Sequence, residues 1–306
     1  MGAGRLRIIC GPTAAGKSQV AIDLAEMFGG AIVSADSRQV YKGFDIGTAK
    51  PRAGERARVP HYGLDVIEPA SRYSAARWAA DAAGWIARAR NARLIPVVVG
   101  GTGLYIKALV EPLFSAPDFE PASRVALARE LESRPLADLR RWCRELDPAR
   151  AHLGRTQILR AIETALLSGR RISELHAAHS DAPGAAQYDA SYLVVDPGPT
   201  LAGRIEARVD AMLESGWRGE AESLSRTVPA EAPAWNASGY SVMRSLAAGE
   251  IDLSTARERV IIETRQYAKR QRTWFRHQLP ADDVTRVNPD DPAAIEVVRD
   301  WWERAE

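Results

Sequence analysis

Residues 11–18 read Gly-Pro-Thr-Ala-Ala-Gly-Lys-Ser, directly after the apolar run Leu6–Cys10 and before an amphipathic pattern of Val20, Ile22, Leu24, Ala25, Met27 and Phe28. The spacing is that of a phosphate-binding loop, G-x-x-x-x-G-K-[ST]. Gly11 and Gly16 allow a tight turn in which backbone N–H groups across Thr13, Ala14 and Ala15 converge on an anion at a helix N-terminus. Lys17 adds a mobile positive charge for the terminal phosphates, and Ser18 offers a hydroxyl to a phosphate-bound Mg²⁺. A glycine-rich turn with no ligand would share the residue types but not the strand before and the helix after. The chain therefore opens as a strand–loop–helix unit that binds a phosphate chain.

The first third continues in the same pattern. Residues 6–10, 31–35, 63–67 and 94–99 read as short buried strands, with helical patterns at 17–28 and 74–91 between them. Near-continuous apolar strands alternating with helices imply an α/β fold, a doubly wound, mostly parallel sheet of the P-loop NTPase-like kind. Ligands of such sheets bind outside the carboxyl ends of the strands. From about 116 to 189 the character changes. Asp118-Phe119-Glu120-Pro121 opens a charged, alanine- and leucine-rich run with helical patterns at 122–132, 136–145, 157–167 and 172–179, closed by Pro183-Gly184. An all-helical insertion domain is expected at 116–189, inside a core domain of 1–115 and 190–306. In the second core segment an apolar strand at 192–195 precedes helices at 201–215, 217–225, 254–278 and 292–304.

Composition excludes several classes. With 306 residues, 46% hydrophobic and 26% charged, the chain can bury a sizeable core. No apolar run approaches the roughly 20 residues of a membrane span. A net charge of +2 leaves any affinity for a polyanion to local patches. Cys10 and Cys143 are the only cysteines; they form neither a disulfide framework nor a zinc spacing, which fits a reducing cytoplasm. The immediate entry into a strand predicts no secretory leader.

Candidate chemistry gathers where the strands end. The second strand runs into Ser34-Ala35-Asp36-Ser37-Arg38-Gln39-Val40-Tyr41, and its end should face the phosphate loop. Asp36 there can accept a proton or a Mg²⁺-bound water, while Ser37 and Gln39 can hydrogen-bond a planar substrate edge. An aspartate capping a helix would look the same on its own. Phe44-Asp45-Ile46-Gly47-Thr48-Ala49-Lys50-Pro51 is a turn-rich loop with no chemical role that its residues declare. The strand at 94–99 ends in Gly100-Gly101-Thr102-Gly103, which allows close backbone approach to a ligand or is a plain strand–helix turn.

Together these segments resemble the tRNA dimethylallyltransferases, isopentenyl transferases that modify the adenosine 3′ of the anticodon. The likeness rests on 11–18, on 34–41 with Gly43 to Pro51 after it, and on Val99-Gly100-Gly101-Thr102-Gly103-Leu104-Tyr105. Tyr73-Ser74-Ala75, Asp147-Pro148-Ala149, Arg160-Ala161-Ile162-Glu163, Ser238-Gly239-Tyr240 and Lys269-Arg270-Gln271-Arg272-Thr273-Trp274-Phe275 extend it, in order, over nearly the whole chain.

The resemblance implies that the loop grips the diphosphate of dimethylallyl diphosphate, held by Thr13, Lys17 and Ser18 with Mg²⁺. The exocyclic amine of adenosine attacks the allylic carbon and diphosphate leaves. That amine is a weak nucleophile, so a base must take its proton and the leaving charge must be neutralised. Asp36 matches the family's general base, and Thr102 would orient the leaving group or the base. Arg204 and Arg208, one turn apart, lie in a pattern whose arginine contacts the diphosphate, with Arg208 the stronger candidate; two surface arginines paired to neighbouring acids are the plain alternative. Ser37, Arg38 and Gln39 would read a base flipped out of the tRNA anticodon stem-loop.

Residues 257–276 hold seven basic side chains, among them Lys269, Arg270 and Arg272, with Trp274, Phe275 and His277 nearby. That mixture suits phosphate contact and base stacking, or else a solvated helix face with its aromatics in the core. The insertion matches the family's anticodon-loop clamp, with Arg124 and the 154–160 segment facing RNA. Here the chain departs from the pattern: Gln157 stands near an expected arginine, leaving Arg155 or Arg160 to substitute. The absence of the zinc finger of eukaryotic relatives suggests a bacterial-type enzyme, and a monomer is expected. A small-molecule or nucleotide kinase needs the same loop and a carboxylate base but would turn over ATP. A non-catalytic nucleotide switch would need no base at Asp36.

Overall fold

A computed structural model describes residues 5–111, 119–181 and 188–305. Six strands, β1 (Leu6–Cys10), β2 (Gly30–Ser34), β3 (His61–Tyr62), β4 (Ile95–Gly100), β5 (Ala190–Val195) and β6 (Val284–Val287), form one parallel sheet in the order β3-β2-β4-β1-β5-β6. The helices in chain order are α1 (Lys17–Phe28), α2 (Ala53–Arg58), α3 (Ala75–Asn91), α4 (Gly103–Val110), α5 (Pro121–Glu132), α6 (Leu136–Leu146), α7 (Arg155–Ser168), α8 (Ile172–Asp181), α9 (Leu201–Glu214), α10 (Trp217–Thr227), α11 (Tyr240–Ala247), α12 (Leu253–His277) and α13 (Ala294–Arg304).

The described residues form two units, 5–111 with 188–305 and 119–181. The opening of the helical run at Asp118 and its closure at Pro183-Gly184 lie outside the described residues. In the sheet-bearing unit, strand residues alternate between two apolar faces. Ile9, Ile32, Val97, Val99, Leu193 and Val195 meet Ala21, Ile22, Leu24 and Ala25 of α1 together with Trp301 and Trp302 of α13. Trp302 stacks on Phe28 with ring centroids 4.9 Å apart. On α3, Trp78 is buried, donates from Nε1 to the Ser34 carbonyl at 3.1 Å and stacks on Tyr105 of α4. The helical unit has its own core of Leu131, Leu139, Cys143, Ile158, Ala161, Ile162 and Ile172.

Three sequence expectations change. Residues 63–67 are not a strand: pairing stops at Tyr62, because Gly63 and Asp65 take left-handed φ values of 80° and 55°. Ile67 instead makes an isolated parallel bridge to Tyr41, outside the sheet. The edge strand β6 and helices α2, α4 and α11 were not expected; each is short, and short elements owe their form to tertiary packing more than to local pattern.

Register fixes the site. Cys10 lies beside Gly100 on one side and Val194 on the other, and Ser34 beside Val99. The segments after β1, β2, β4 and β5 therefore emerge side by side at the carboxyl edge, over the crevice where an open parallel sheet binds its ligands.

Candidate active site

The phosphate loop joins β1 to α1 in the geometry of an anion cradle. Gly11, Ala14 and Gly16 have φ of 137°, 62° and 97°. Ala14 is a non-glycine residue held in the left-handed region, at a cost of about 1–2 kcal/mol that the surrounding turn must sustain. Ala15 is buried, and Ser18 is exposed in the first turn of α1. Lys17 donates from Nζ to the Pro12 carbonyl at 2.7 Å. Burial, with the Arg208 guanidinium beside it, pushes Lys17 down to about 8, while Asp36 pulls the other way.

Two cavities open at this edge. A smaller one, about 100 Å³, is lined by Thr13, Lys17, Ser18, Asp36, Arg208 and Gln271, among others. A larger one, about 430 Å³, runs past Arg38, Thr48, Trp217, Glu263 and Arg270. Thr13, Asp36, Arg208 and Tyr267 line both. The carboxylate expected to act as base thus stands in the wall common to the phosphate end and the wider end.

Arg208 and Arg204 separate clearly. Arg204 pairs with Asp290, which also accepts from the Thr200 hydroxyl at 2.6 Å, and its Nη1 lies 3.4 Å from the Ala15 carbonyl. Arg208 makes no ion pair or hydrogen bond among the described residues. Burial holds its guanidinium below the ordinary value, opposed only by Asp36. An unmatched, half-buried cation beside Lys17 is what a multiply charged anion would neutralise.

Asp36 accepts from the Arg38 backbone N–H at 2.8 Å, an Asx-type contact that fixes the carboxylate and leaves its other oxygen for chemistry. The Ser37 N–H donates to Thr102 Oγ1 at 3.0 Å, and that hydroxyl lies 3.3 Å from Ser37 Oγ. Thr102 is in hydrogen-bonding reach of Tyr267, whose phenol is pushed up to about 12 by burial and by Asp36. Asp36, Ser37, Thr102 and Tyr267 are therefore one connected group. Gln39 accepts from Ser34 Oγ and donates to the carbonyls of Thr48 and Ala49 at 3.2 and 3.1 Å; its amide shapes the cavity wall instead of offering free groups.

The loop at 44–51, chemically silent in sequence, is held at nearly every residue. Lys50 is buried and bonds the Tyr41 carbonyl, Asp45 and Asp65. Glu220 accepts from the Asp45 and Ile46 N–H groups, and the Tyr240 hydroxyl donates to Glu220 and accepts from Gly47 N–H. Gly47 and Thr48 face the larger cavity, Ala49 and Pro51 the smaller one.

Gly100 and Gly101 line the smaller cavity, and close packing leaves no room for a side chain at either of them or at Gly103. A Cβ on Gly100 would sit 2.1 Å from the Ala35 carbonyl oxygen, one on Gly101 2.2 Å from Gln271 Nε2, and one on Gly103 2.3 Å from the Trp274 ring. Gln271 was missed in sequence: a polar residue inside a basic helix gives no sign that it is buried. Tyr267, Asp290 and Glu220 were also missed, because the partners each meets come from distant segments of the chain.

On α12 the basic residues divide. Arg257 pairs with Asp210, Arg265 with Glu206 and Arg272 with Asp196. Lys269 and Arg270 are exposed, Arg270 lies over the Tyr267 ring, and Phe275 is in the core. In the helical unit, Arg124 pairs with Glu163. Gln157 caps its own helix, accepting from the Gly154 N–H at 3.0 Å. Arg155 donates to the Glu132 and Arg134 carbonyls, tying α7 to the end of α5. Arg160 is exposed and unpaired among the described residues.

The profile of the IPP transferase family matches residues 39–278, and that of the isopentenyl transferases residues 4–59. The chain belongs to the IPP transferase family. It is 43% identical to the tRNA dimethylallyltransferase of Anaeromyxobacter sp. (strain K) over 90% of each chain, and 42% identical to that of Halorhodospira halophila over 94% of each. Among solved structures, the full-length tRNA isopentenylpyrophosphate transferase of Bacillus halodurans is 29% identical, with a TM-score of 0.69 over 99% of this chain and 96% of that one. A eukaryotic dimethylallyltransferase caught acting on tRNA reaches a TM-score of 0.77 at 26% identity, over 93% of this chain and 74% of that one. The parallel sheet, the phosphate loop and the two cavities of this IPP transferase thus occur in a chain whose relatives carry the prenyl-transfer name along nearly their whole length.

Proposed function

We propose that this IPP transferase moves a dimethylallyl group from dimethylallyl diphosphate to the exocyclic amine of the adenosine 3′ of the anticodon in tRNA. The observation that carries the reading is Asp36 in the wall common to the two cavities, with Lys17, Ser18 and Arg208 on its phosphate side. The diphosphate lies in the cradle of residues 11–18, held by Thr13, Lys17 and Ser18, and Arg208 supplies the neutralising charge. Arg204, paired with Asp290, shapes the loop from outside through Ala15. The flipped adenosine enters from the larger cavity, past Arg38 and Arg270.

The amine nitrogen forms its bond to the allylic carbon as the carbon–oxygen bond to diphosphate breaks. Asp36 takes the amine proton, and the electron pair of the broken bond leaves on diphosphate. Thr102 and Ser37, bonded to one another, hold the region between amine and base. Lys17 and Arg208 stabilise the charge that grows on the leaving oxygen, which is the larger electrostatic demand.

Mg²⁺ fits the donor set. No cluster of three or more His, Cys, Asp or Glu able to hold a metal occurs among the described residues, whereas Mg²⁺ is commonly held by phosphate oxygens, water and one or two protein oxygens. The Ser18 hydroxyl, which lines the small cavity with Lys17, would hold the ion there together with the diphosphate oxygens and water. When bound it neutralises diphosphate charge. A monomer acting on tRNA in the cytoplasm completes the proposal; no helix among the described residues is long and apolar enough to cross a membrane.

The test is to incubate the protein with Mg²⁺, unmodified tRNA and labelled dimethylallyl diphosphate, with ATP in a parallel tube. Label in tRNA supports prenyl transfer. ATP consumption without label transfer would return the chain to the kinases.

A further inference from the structure

Gln271 is the buried polar side chain on α12 whose two bonds both reach the catalytic edge. Its Oε1 accepts from the Thr13 N–H at 2.8 Å and its Nε2 donates to the Gly101 carbonyl at 2.9 Å, and the residue is only 5% exposed. One amide thereby ties the phosphate loop to the turn that carries Thr102. Only an uncharged carboxamide of this length both accepts and donates at these two points. Gly101 must lack a side chain for the contact to exist, since a Cβ there would lie 2.2 Å from Gln271 Nε2. Four residues earlier on the same face, Tyr267 lines both cavities and reaches Thr102. Between these two residues lie Lys269 and Arg270, two exposed cations of the helix.

We infer that Gln271 is a positioning residue that couples RNA contact on α12 to the geometry of the diphosphate cradle. RNA that engages Lys269 and Arg270 biases the position of α12. Any such bias reaches the Thr13 amide directly, because Gln271 sets its orientation, and reaches Thr102 through Gly101 and Tyr267. By linkage, diphosphate that orders the loop must favour RNA to the same degree. The inference rests on the function proposed above, since it needs both ligands.

The experiment measures inorganic diphosphate binding to the full chain with Mg²⁺, alone and with a saturating unmodified anticodon stem-loop RNA, and then RNA binding with and without diphosphate. The wild type should show the same enhancement in both directions, about fivefold or more. Gln271→Met, of similar volume but unable to make either bond, should bind each ligand separately while the enhancement falls to about onefold. Gln271→Glu keeps the acceptor toward Thr13 but sets a carboxylate against the Gly101 carbonyl and the anion. It should lose about tenfold in diphosphate affinity with RNA affinity unchanged. A side chain that only held the fold together would lower both affinities in step and leave their ratio intact. Binding of both ligands by the wild type without enhancement, or enhancement preserved in Gln271→Met, overturns the coupling and leaves prenyl transfer standing. A wild type that binds no diphosphate overturns the function proposal, and the coupling with it.

Discussion

At the scale of single residues the proposed mechanism rests on Asp36 and Arg208, and on their position. Arg208 makes no ion pair or hydrogen bond among the described residues and has only the nearby Asp36 carboxylate to offset its burial, so a bound anion would compensate it further. Arg208→Ala should cut kcat/KM for dimethylallyl diphosphate about 10²–10³-fold, the range for losing one stabiliser of developing charge. Arg204→Ala should cost less, a difference that steady-state kinetics with varied donor will read. Lys17 gives a pH signature. In the ligand-free protein it loses its proton near 8, well below its ordinary 10.5, so donor affinity should fall as pH rises through about 8. Lys17→Arg stays charged across that range, and the difference between the two pH profiles removes the titration of the ligand itself. The same displacement acts on stability with the opposite sense: between about 8 and 10.5 the unfolded chain binds more protons, so this group makes the empty protein more stable as pH rises.

At the scale of elements, α12 is two surfaces in one helix. Arg257, Arg265 and Arg272 face acids and brace α9 and the end of β5, whereas Lys269 and Arg270 face solvent. Replacing Lys269 and Arg270 by glutamine should weaken tRNA binding and lower its salt slope by about two. Replacing Arg272 should reduce thermal stability and leave the slope nearly intact. Binding measured from low to high salt separates the two outcomes. This division was not legible in the sequence, where all seven cations look alike, because a cation's partner is chosen by tertiary contact. The phosphate loop, β1 and α1 were legible because a short motif with obligatory flanks fixes its own backbone. Asp36 was legible because a strand end beside that loop has one place to go. The strand expected at 63–67 failed because an apolar run does not reveal left-handed residues such as Asp65. The glycines at the end of β4 left close approach to a ligand and a plain turn both open in sequence; Gly100 and Gly101 line the smaller cavity, and Ala35, Gln271 and Trp274 pack where side chains would stand.

At the scale of the whole molecule, the site depends on a sheet with one face covered by α1 and α13 together. Trp302 is fully buried, stacks on Phe28 and accepts at its carbonyl from the buried Arg7 at 2.9 Å. Trp302→Ala should cost about 3–5 kcal/mol of stability yet leave the donor KM unchanged well below the melting temperature. Calorimetry and donor titration check the two halves of that statement. The helical unit has a separate core, so Ile158→Ala should weaken tRNA use while diphosphate binding to the other unit persists. The central claim is that Asp36 is the base at the meeting point of two substrates. The most direct measurement is nucleoside mass spectrometry of tRNA after reaction with the wild type and with Asp36→Ala, alongside their diphosphate affinities. The account expects the wild type to add one five-carbon unit to the adenosine 3′ of the anticodon, and Asp36→Ala to bind diphosphate normally but react about 10²–10⁴-fold more slowly. An Asp36→Ala variant that modifies the same adenosine at the wild-type rate would contradict it.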